Sequence, residues 1–360
     1  MTYLIDEGET GKRGLIGLHR RMWPLAIGLL LACAGCSSVG QPQTAVRAHV
    51  QPMAQTTAQA VSQPLAPTTA STGMTLQQVS PSAWFVQGEA AIGSAANRNF
   101  ISNAGFVVTA DSVVVIDALG SPALALELIG KIRAATGKSV SHVIVTHYHA
   151  DHVYGLQTFK AAGARILAHR VGRQYLESET ALKRLQDSRQ TLGPWIDETT
   201  RLVPADEWLD GKTTLNVGGV RIDIAPVGPA HTPEDLAIYV PADKVLLAGD
   251  LVFRRRIPVV GQADSANWIA ALDALLRYDA AVVVPGHGPV SKAVREDLQL
   301  TRDYLTHLRA VMGPAAKNLE PFEDAYLAAD WSRFESLPLF GAANRMNAYN
   351  TYLLMERETK

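Results

Sequence analysis

The feature that most constrains this chain is the segment THYHADH, residues 146–152, which directly follows the apolar run HVIV. The run predicts a buried β-strand, and the residues from about 152 to 162, before Gly163, predict a helix. A chain that passes from a strand into a helix here places four ligand-capable side chains at one corner of the fold. These side chains are His147, His149, Asp151 and His152.

The spacing within this segment determines how its side chains can meet. Residues i and i+2 share a face in a strand, but they point roughly 160° apart in a helix. His147 and His149 therefore converge only if the backbone leaves the strand still extended. Neutral imidazoles together with a carboxylate suit zinc, and they also suit iron or manganese. Taken singly, each residue has a structural alternative, such as a buried histidine with a protein partner or Asp151 as the N-cap of the helix.

The rest of the folded part alternates between strand and helix patterns. Short β-rich runs precede the segment, and a second set of strands follows at VRIDIAP, LAIYVP and KVLLAG. Tight antiparallel sets combined with crossover units predict an α/β fold with two mixed β-sheets flanked by helices. We predict a catalytic domain over residues 76–312 and a helical C-terminal extension over residues 313–360.

The N-terminal residues differ from the rest in composition. A basic stretch precedes the apolar run PLAIGLLLA and the motif CAGCSS, an order that predicts a signal peptide and lipobox over residues 1–36. Acyl chains on Cys33 or Cys36 would anchor the protein to a membrane, and ordinary secretion is the alternative. Residues 37–75 are rich in Gln, Ala, Thr, Pro and Ser, which predicts a disordered tether.

Charge and cysteine content exclude some classes of function. The formal net charge of the chain is −1 and no basic face dominates, so nucleic acid is not an expected partner. The two cysteines both lie near the N-terminus, so the folded part has neither disulfides nor thiolate metal ligands. We expect an exported protein, periplasmic or anchored to the outer membrane as a lipoprotein. Its expected partner is a small-molecule substrate, and it would contact the membrane only through the lipid anchor.

Longer motifs resemble a known family. THYHADH matches the signature of the metallo-β-lactamase fold superfamily, and three later landmarks occur in the order of that family. His231 stands in GPAHTPEDLAIYV, Asp250 in LLAGDLVF and His287 in VVVPGHGPV. The resemblance covers about residues 80–312. It implies an αββα sandwich with a two-metal site at one edge, in agreement with the order of predicted elements.

The resemblance also implies a set of metal ligands. The first metal would be held by His147, His149 and His231, the second by Asp151, His152 and His287, and Asp250 would bridge both. The implied cofactor is Zn²⁺, two ions per chain, with iron or manganese as alternatives. Asp117 resembles a family position that orients a ligand, and a strand-end cap is its alternative. For Asp250 the alternative is an aspartate that caps a turn.

These residues predict a metal-dependent, dizinc hydrolase. A hydroxide bridging the two metals would cleave an activated acyl bond of the thioester, lactone or β-lactam type. Asp151 would act as a catalytic residue by orienting this hydroxide. The lack of a cysteine ligand disfavours the β-lactamases that use one, and the ligand pattern resembles glyoxalase II and lactonases. The stretch GDLVFRRRIPVVGQADSANWIAALDALL also resembles zinc metallohydrolases associated with quinoprotein and sulfur-oxidation systems.

Two other functions remain open at this point. A mononuclear-iron persulfide dioxygenase would keep the HxHxDH stretch but use only some of the ligands. A metal-stabilised binding lipoprotein would keep the metals without turnover. The cluster Arg254, Arg255 and Arg256 also has two interpretations, a clamp for a substrate carboxylate or a solvated loop, and the pattern favours the solvated loop.

Overall fold

Two β-sheets form the centre of the structure, a computed structural model that describes residues 73–358. The predicted signal peptide, the lipobox and nearly all of the predicted tether lie outside the described residues. No helix within residues 73–358 is long and apolar enough to cross a membrane.

The first sheet has seven strands, arranged in the order in which they occur in the chain. They are β1 (Gln77–Gln78), β2 (Ala83–Val86), β3 (Ala104–Val108), β4 (Val113–Ile116), β5 (Val140–Ile144), β6 (Arg165–His169) and β7 (Glu207–Leu209). Strands β1 to β4 pair antiparallel, and β4 to β7 pair parallel. The parallel strands require crossovers, which the helices supply. These helices are α1 (Pro122–Thr136), α2 (Ala150–Val153), α3 (Leu156–Ala161), α4 (Gly172–Leu176) and α5 (Glu179–Thr191).

The second sheet has five strands in the order β12-β11-β10-β9-β8. They are β8 (Thr213–Val217), β9 (Val220–Pro226), β10 (Leu236–Val240), β11 (Val245–Phe253) and β12 (Val282–His287). Strands β8 to β11 pair antiparallel, whereas β11 and β12 pair parallel through a crossover. The helices of this half are α6 (Ser265–Leu275), α7 (Val294–Asn318), α8 (Phe322–Ala328) and α9 (Phe340–Glu358).

Three clusters of buried side chains hold these elements in four layers. Between the sheets, side chains such as Phe85 and Ile144 pack against Ile238 and Leu247. A second cluster joins the first sheet to α1, α3 and α5, and a third joins the second sheet to α6, α7 and α9. Each sheet is therefore buried on both faces, which explains the continuous apolar runs in its central strands. The prediction of an αββα sandwich of two mixed sheets is confirmed.

The observed elements differ from the predicted ones at several boundaries. The helix predicted from about residue 152 to 162 is two short helices, α2 and α3. The short strands β1 and β7 and the half-exposed β8 were missed, because few of their residues are buried. Helix α7 continues through residue 313 to Asn318 and shares a buried cluster with α9. The proposed boundary between catalytic domain and extension thus falls inside a helix.

Candidate metal centre

The seven predicted metal ligands converge at one place in the structure. They form two groups, and within each group the nitrogen and carboxylate donor atoms lie within 4.8 Å of one another. The first group is His147, His149, His231 and Asp250, and the second group is Asp151, His152 and His287. The groups correspond to the two ligand sets that the sequence implied, and their role as ligands stays a prediction.

His147 and His149 lie on the extended segment between β5 and α2. Strand β5 ends at Ile144, and the backbone is still extended at His149, with φ −78° and ψ 149°. The two imidazole rings face one another edge to face, with centroids 4.7 Å apart. This is the extended exit from the strand that the i,i+2 spacing requires.

Asp151 and His152 lie inside α2, not at its start. The helix begins at Ala150, and His149 is the residue that precedes it. The predicted helix start at His152 was therefore wrong by two residues, and Asp151 is not the N-cap. From this single turn, Asp151 Oδ2 lies 3.3 Å from His287 Nε2, and the imidazole of His152 also faces the centre of the site.

His231 lies on the loop between β9 and β10. Asp235 organises this loop by accepting hydrogen bonds from the backbone N–H and the hydroxyl of Thr232, at 2.7 and 2.8 Å. Trp268 and Phe253 pack against the His231 ring, with centroids 5.1 and 5.8 Å from its own. The His231 ring is therefore held in place by aromatic side chains.

Asp250 and His287 are brought together by the adjacent parallel strands β11 and β12. The sequence predicted Asp250 just after a strand, but β11 continues to Phe253, so Asp250 lies within it. Gly286 allows the close approach of the two strands, because a Cβ at this position would lie 2.0 Å from Asp250 Oδ1. On the other side of His287, Gly288 has a φ of +93°, a conformation that favours glycine.

The Asp250 carboxylate lies between the two groups of donors. Its Oδ1 is 3.1 Å from His152 Nε2. Its Oδ2 is 3.3 Å from His287 Nε2, 3.4 Å from His231 Nε2 and 3.8 Å from His147 Nε2. One carboxylate is thus within reach of histidines from both groups, as a bridging ligand would be.

Asp117 contacts His152 directly and His147 through Thr146. Its Oδ2 lies 2.9 Å from His152 Nδ1 and accepts a 2.8 Å hydrogen bond from the Thr146 hydroxyl. Its Oδ1 accepts a 2.8 Å hydrogen bond from the Thr146 backbone N–H. The Thr146 hydroxyl is also 3.0 Å from His147 Nδ1. Of the two interpretations of Asp117, the structure supports the one that orients a ligand, and it adds Thr146, which the sequence analysis missed.

The segment 101–103 supports the second group and was also missed. His287 Nδ1 lies 2.7 Å from the carbonyl oxygen of Ile101, and the Ser102 hydroxyl donates a 2.5 Å hydrogen bond to the Asp151 carbonyl. Asn103 donates from its side chain to the Gly288 carbonyl. No motif could reveal the contribution of Ile101, because every residue type offers a backbone carbonyl.

The histidines of the first group have lowered pKa values. Burial lowers the pKa of His149 to about 3, and it lowers the pKa of His231 to about 4 against the opposing charge of Asp250. Burial and the neighbouring His152 lower the pKa of His147 well below its usual value. All three rings are therefore neutral at pH 7, the form in which imidazole binds a metal.

The histidines of the second group are shifted in the opposite direction. Burial alone would lower their pKa values, but Asp250 and Asp151 raise the pKa of His287 and raise that of His152 further. The two histidines in turn hold the pKa of the Asp151 and Asp250 carboxyl groups far below the usual range, although burial opposes the shift. These shifts favour a proton on each of the two rings, next to the carboxylates, when no metal is bound.

The donor set fits divalent metal ions. His147 Nε2 is buried and makes no hydrogen bond within the described residues, and Asp250 Oδ2 is 3.8 Å from it. Buried polar atoms are rarely left without a partner in folded proteins. Imidazole nitrogens and carboxylate oxygens are ligands that zinc accepts, and a metal would satisfy this atom.

The three consecutive arginines beside the site are not one solvated loop, so the favoured interpretation of this cluster was wrong for two of them. Only Arg255 is exposed. Arg254 is half-buried and pairs with Asp297, with Nε 2.6 Å from the carboxylate. Arg256 is buried, and its Nη1 lies 3.2 Å from His287 Nδ1. Because all three residues are arginines, the difference in their exposure arises from packing and not from residue type.

A family model also matches this part of the chain. The model of the metallo-beta-lactamase superfamily matches residues 97–287, more than half of the chain, and this range contains all seven predicted ligands. The chain belongs to the metallo-β-lactamase superfamily. The resemblance proposed from the sequence motifs is thereby confirmed.

The curated relatives of this superfamily member include two kinds of enzyme. A linear primary-alkylsulfatase of Pseudomonas sp. (strain ATCC 19151) is 24% identical over 234 residues, which cover 55% of this chain and 44% of the relative. The chain therefore spans less than half the length of that relative. A metallo-beta-lactamase type 2 of Bacillus cereus is 27% identical over 222 residues, which cover 60% of this chain and 77% of the relative.

Solved structures agree on the fold. A metallo-beta-lactamase from Pontibacter korlensis has a TM-score of 0.52 and 23% sequence identity, and the match covers 65% of this chain and 99% of that chain. The prediction that the chain is related to the hydrolases of this superfamily is confirmed. The number and identity of its metals and the type of its substrate stay predictions.

Proposed function

We propose that this member of the superfamily is a dinuclear zinc hydrolase that cleaves an activated acyl bond of a small molecule. A thioester, a lactone or a β-lactam has the required chemistry. One observation carries the proposal: the Asp250 carboxylate lies within 3.8 Å of the ring nitrogens of histidines from both donor groups. Shared carboxylates of this kind are suited to hold two metals close together.

Each donor group would hold one ion. The first group offers three neutral imidazoles, the second offers two imidazoles and the Asp151 carboxylate, and Asp250 would be shared. Two zinc ions at such a site supply Lewis acidity and lower the pKa of a bound water towards neutrality. The chain carries no G-x-S-x-G nucleophile elbow, so a serine esterase of the α/β-hydrolase type is not an alternative.

Asp151 is the proposed catalytic residue. The side chains of most donors are 0–4% exposed, whereas that of Asp151 is 15% exposed, so its carboxylate can contact an incoming water. Burial would raise its pKa, but the charges of His152 and His287 hold that pKa far below its usual range. The carboxylate is therefore ionised at working pH, and it can accept a hydrogen bond from the nucleophilic water and orient it.

Metal analysis combined with a substrate panel tests this proposal. The purified full chain is expected to bind two zinc ions and to hydrolyse at least one member of a panel of thioesters, lactones and a chromogenic cephalosporin. One iron per chain with oxygen uptake on a persulfide substrate would instead support the dioxygenase alternative. Two zinc ions with no turnover of any compound of the panel would contradict catalysis and support a binding protein.

Sulfate-ester hydrolysis is the second candidate function. It is favoured by the alkylsulfatase among the relatives, which aligns over 55% of this chain. The same panel should therefore contain a primary alkyl sulfate such as dodecyl sulfate. Release of inorganic sulfate without turnover of any acyl compound would replace the acyl proposal with this one.

We also propose that the chain is exported and lipid-anchored, on the basis of the order of basic, apolar and cysteine-containing segments in residues 1–36. Metabolic labelling with a radioactive fatty acid is expected to mark the wild-type protein in the membrane fraction. The double variant Cys33→Ser, Cys36→Ser should lose the label. Equal labelling of both proteins would contradict the proposed anchor.

A further inference from the structure

A groove between α6 and the end of β9 lies apart from the metal centre. Its volume is about 650 Å³, which is within the usual range for small-molecule sites. One wall is a face of α6, and the other is formed by residues 225–229, at the end of β9 and in the loop that follows it. None of the seven proposed metal donors lines this groove. It is therefore a cavity that the proposed hydrolase function does not use.

Small side chains leave the groove open. Ala270, Ala271 and Ala274 lie along α6, and Ala225 and Gly228 lie on the other wall. Ala225 and Ala271 are buried, so the inner part of the groove is apolar. The lining face of α6 from residue 267 to residue 274 is about 10 Å long, because a helix rises about 1.5 Å per residue. The groove can therefore hold an elongated apolar group.

The only charged side chains that line the groove are two cations, Lys212 and Arg277. Both are exposed, and neither forms an ion pair with any carboxylate of residues 73–358. The acidic residues next to them in the sequence are paired with other cations: Asp210 with Arg170, Asp273 with Arg302 and Asp279 with Lys244. The charge of the groove therefore complements an anion.

The end of the groove beside Arg277 is held in place by its neighbours. The ring of Tyr278, which also lines the groove, packs against that of Tyr239 with centroids 5.0 Å apart. The Tyr239 hydroxyl donates a 2.8 Å hydrogen bond to the carbonyl of Asp279. Groups that are ordered before binding lose less conformational entropy when a ligand arrives. The backbone that carries Arg277 is therefore preorganised for binding.

The groove shares its walls with the supports of His231. Residues 227–229 line the groove, and His231 follows them in the same loop. The backbone N–H of Asp264 donates a 3.0 Å hydrogen bond to the Ala230 carbonyl, just before α6 begins. Within α6, Trp268 packs against the His231 ring with centroids 5.1 Å apart. A ligand held between α6 and this loop would therefore act on both supports of His231.

We propose that this groove is a second ligand site, which binds an elongated amphiphilic anion and through His231 changes the affinity of the first donor group for metal. The anionic head would lie at Lys212 and Arg277, and the apolar body would lie along the alanines of α6. A medium-chain carboxylate such as octanoate has this chemistry. The site itself does not depend on the proposed hydrolase function, whereas its link to His231 rests on the proposed metal centre.

Titration calorimetry of the full chain tests the site. Octanoate is expected to bind about tenfold more tightly than octan-1-ol, which has the same chain but no charge, the lower end of the usual contribution of a hydrogen bond to a charged group. Lys212→Gln combined with Arg277→Gln should remove this preference. The matched pair Arg201→Gln with Lys317→Gln replaces exposed cations outside the groove and should leave the preference unchanged. Equal binding of the two compounds by the wild type would overturn the proposal.

A blocked groove locates the bound octanoate. Ala274→Trp is expected to fill the groove and abolish binding, and Ala270→Trp, at an exposed lining position, is a second blocking variant. Ala266→Trp changes an exposed alanine of the same helix that does not line the groove, and it should bind octanoate as the wild type does. Unchanged binding in both blocking variants would overturn the proposal, because the octanoate would then lie elsewhere, such as on the metals. Equal weakening by Ala266→Trp would overturn it as well.

Zinc affinity tests the link to His231. Competition with a chromogenic chelator, with and without saturating octanoate, is expected to show a change of about fivefold or more in the affinity of the first site. The same change should be absent in Ala274→Trp. An affinity that is independent of octanoate in the wild type would overturn the link, while the calorimetry decides whether the groove binds the anion. Failure of the chain to bind zinc would contradict the proposed metal centre and the link together, and the site would stand on the calorimetry alone.

Discussion

The two donor groups of the metal centre differ in the charge of their histidines. In the first group, burial lowers the pKa of His147, His149 and His231, so these rings are neutral near pH 7. In the second group, the pKa values of His152 and His287 are raised. Both groups are buried, so burial alone does not explain the difference.

The distribution of carboxylates explains it. Three carboxylates, those of Asp117, Asp151 and Asp250, raise the pKa of His152, and two of them act on His287. The first group has Asp250 alone within its own donor set. Protons therefore compete with a metal more strongly in the second group than in the first, because a metal binds the deprotonated ring. Because of this difference, the two sites are expected to fill in sequence.

Removal of Asp250 should have the largest effect, because it takes a donor from both groups at once. Asp250→Ala is expected to lower the zinc content from two ions to fewer than one per chain and to abolish hydrolysis. Its loss also leaves the raised-pKa histidines without their principal anionic neighbour. Plasma mass spectrometry of the dialysed protein, combined with activity on the substrate panel, checks both outcomes.

A matched aspartate provides the control for this variant. Asp273 on α6 pairs with Arg302 on the surface, outside both donor groups, and Asp273→Ala should keep both metals and full activity. If Asp250→Ala retained two zinc ions, the shared role of this carboxylate would be refuted and the comparison of the two groups would lose its basis.

Lower pH should distinguish the two groups. The raised pKa values of His152 and His287 mean that, as pH falls, two protons increasingly compete with the second metal. Its affinity should fall by up to about 100-fold per pH unit below those pKa values, because each proton contributes about tenfold. The first metal should persist until His231 and His149 are protonated, near pH 4 and pH 3.

Zinc content after dialysis against buffers of fixed free zinc, from about pH 8 to about pH 5, measures this order. We expect a plateau at one ion per chain in the acid range, with far-ultraviolet circular dichroism showing that the protein is still folded. Simultaneous loss of both ions would contradict the proposed difference between the groups.

The strand-to-helix corner could be predicted because its geometry is local. Spacing alone showed that His147 and His149 require an extended exit from β5, and the structure has it. His231, Asp250 and His287 were reached only through the family resemblance. No local rule brings residues together that are separated by up to 140 positions, counted from His147 to His287.

Features that depend on packing between elements could not be predicted. The sequence predicted a strand over KVLLAG that ends before Asp250, yet β11 continues through Asp250 to Phe253, with Gly249 at φ +51° and an irregular register against β12. Likewise, the buried position of Arg256 depends on Phe253 and on the distant His287. In both cases the residue types are visible in the sequence, while contacts with the neighbouring strand β12 are not.

Substitution of Asp117 should have the smallest effect and should fall mainly on the second group. Asp117 holds His152 by a 2.9 Å contact but reaches His147 only through Thr146. Asp117→Asn is expected to lower the affinity of the second metal about 10–100-fold and that of the first much less, as for other residues that orient a ligand. Competition with a chromogenic chelator measures both affinities.

Asp117→Asn is expected to change the side chain at this position without changing the backbone. Asp117 has a φ of +65°, a conformation that asparagine also tolerates, so the amide should not distort the chain. Thr146→Val is the matched variant, because it removes the hydroxyl that lies 3.0 Å from His147 Nδ1 and should weaken the first metal more than Asp117→Asn does. If Asp117→Asn instead weakened the first metal more than the second, Asp117 would act mainly through Thr146. The difference between the two donor groups would then not extend to Asp117 and Thr146, the residues that contact His152 and His147.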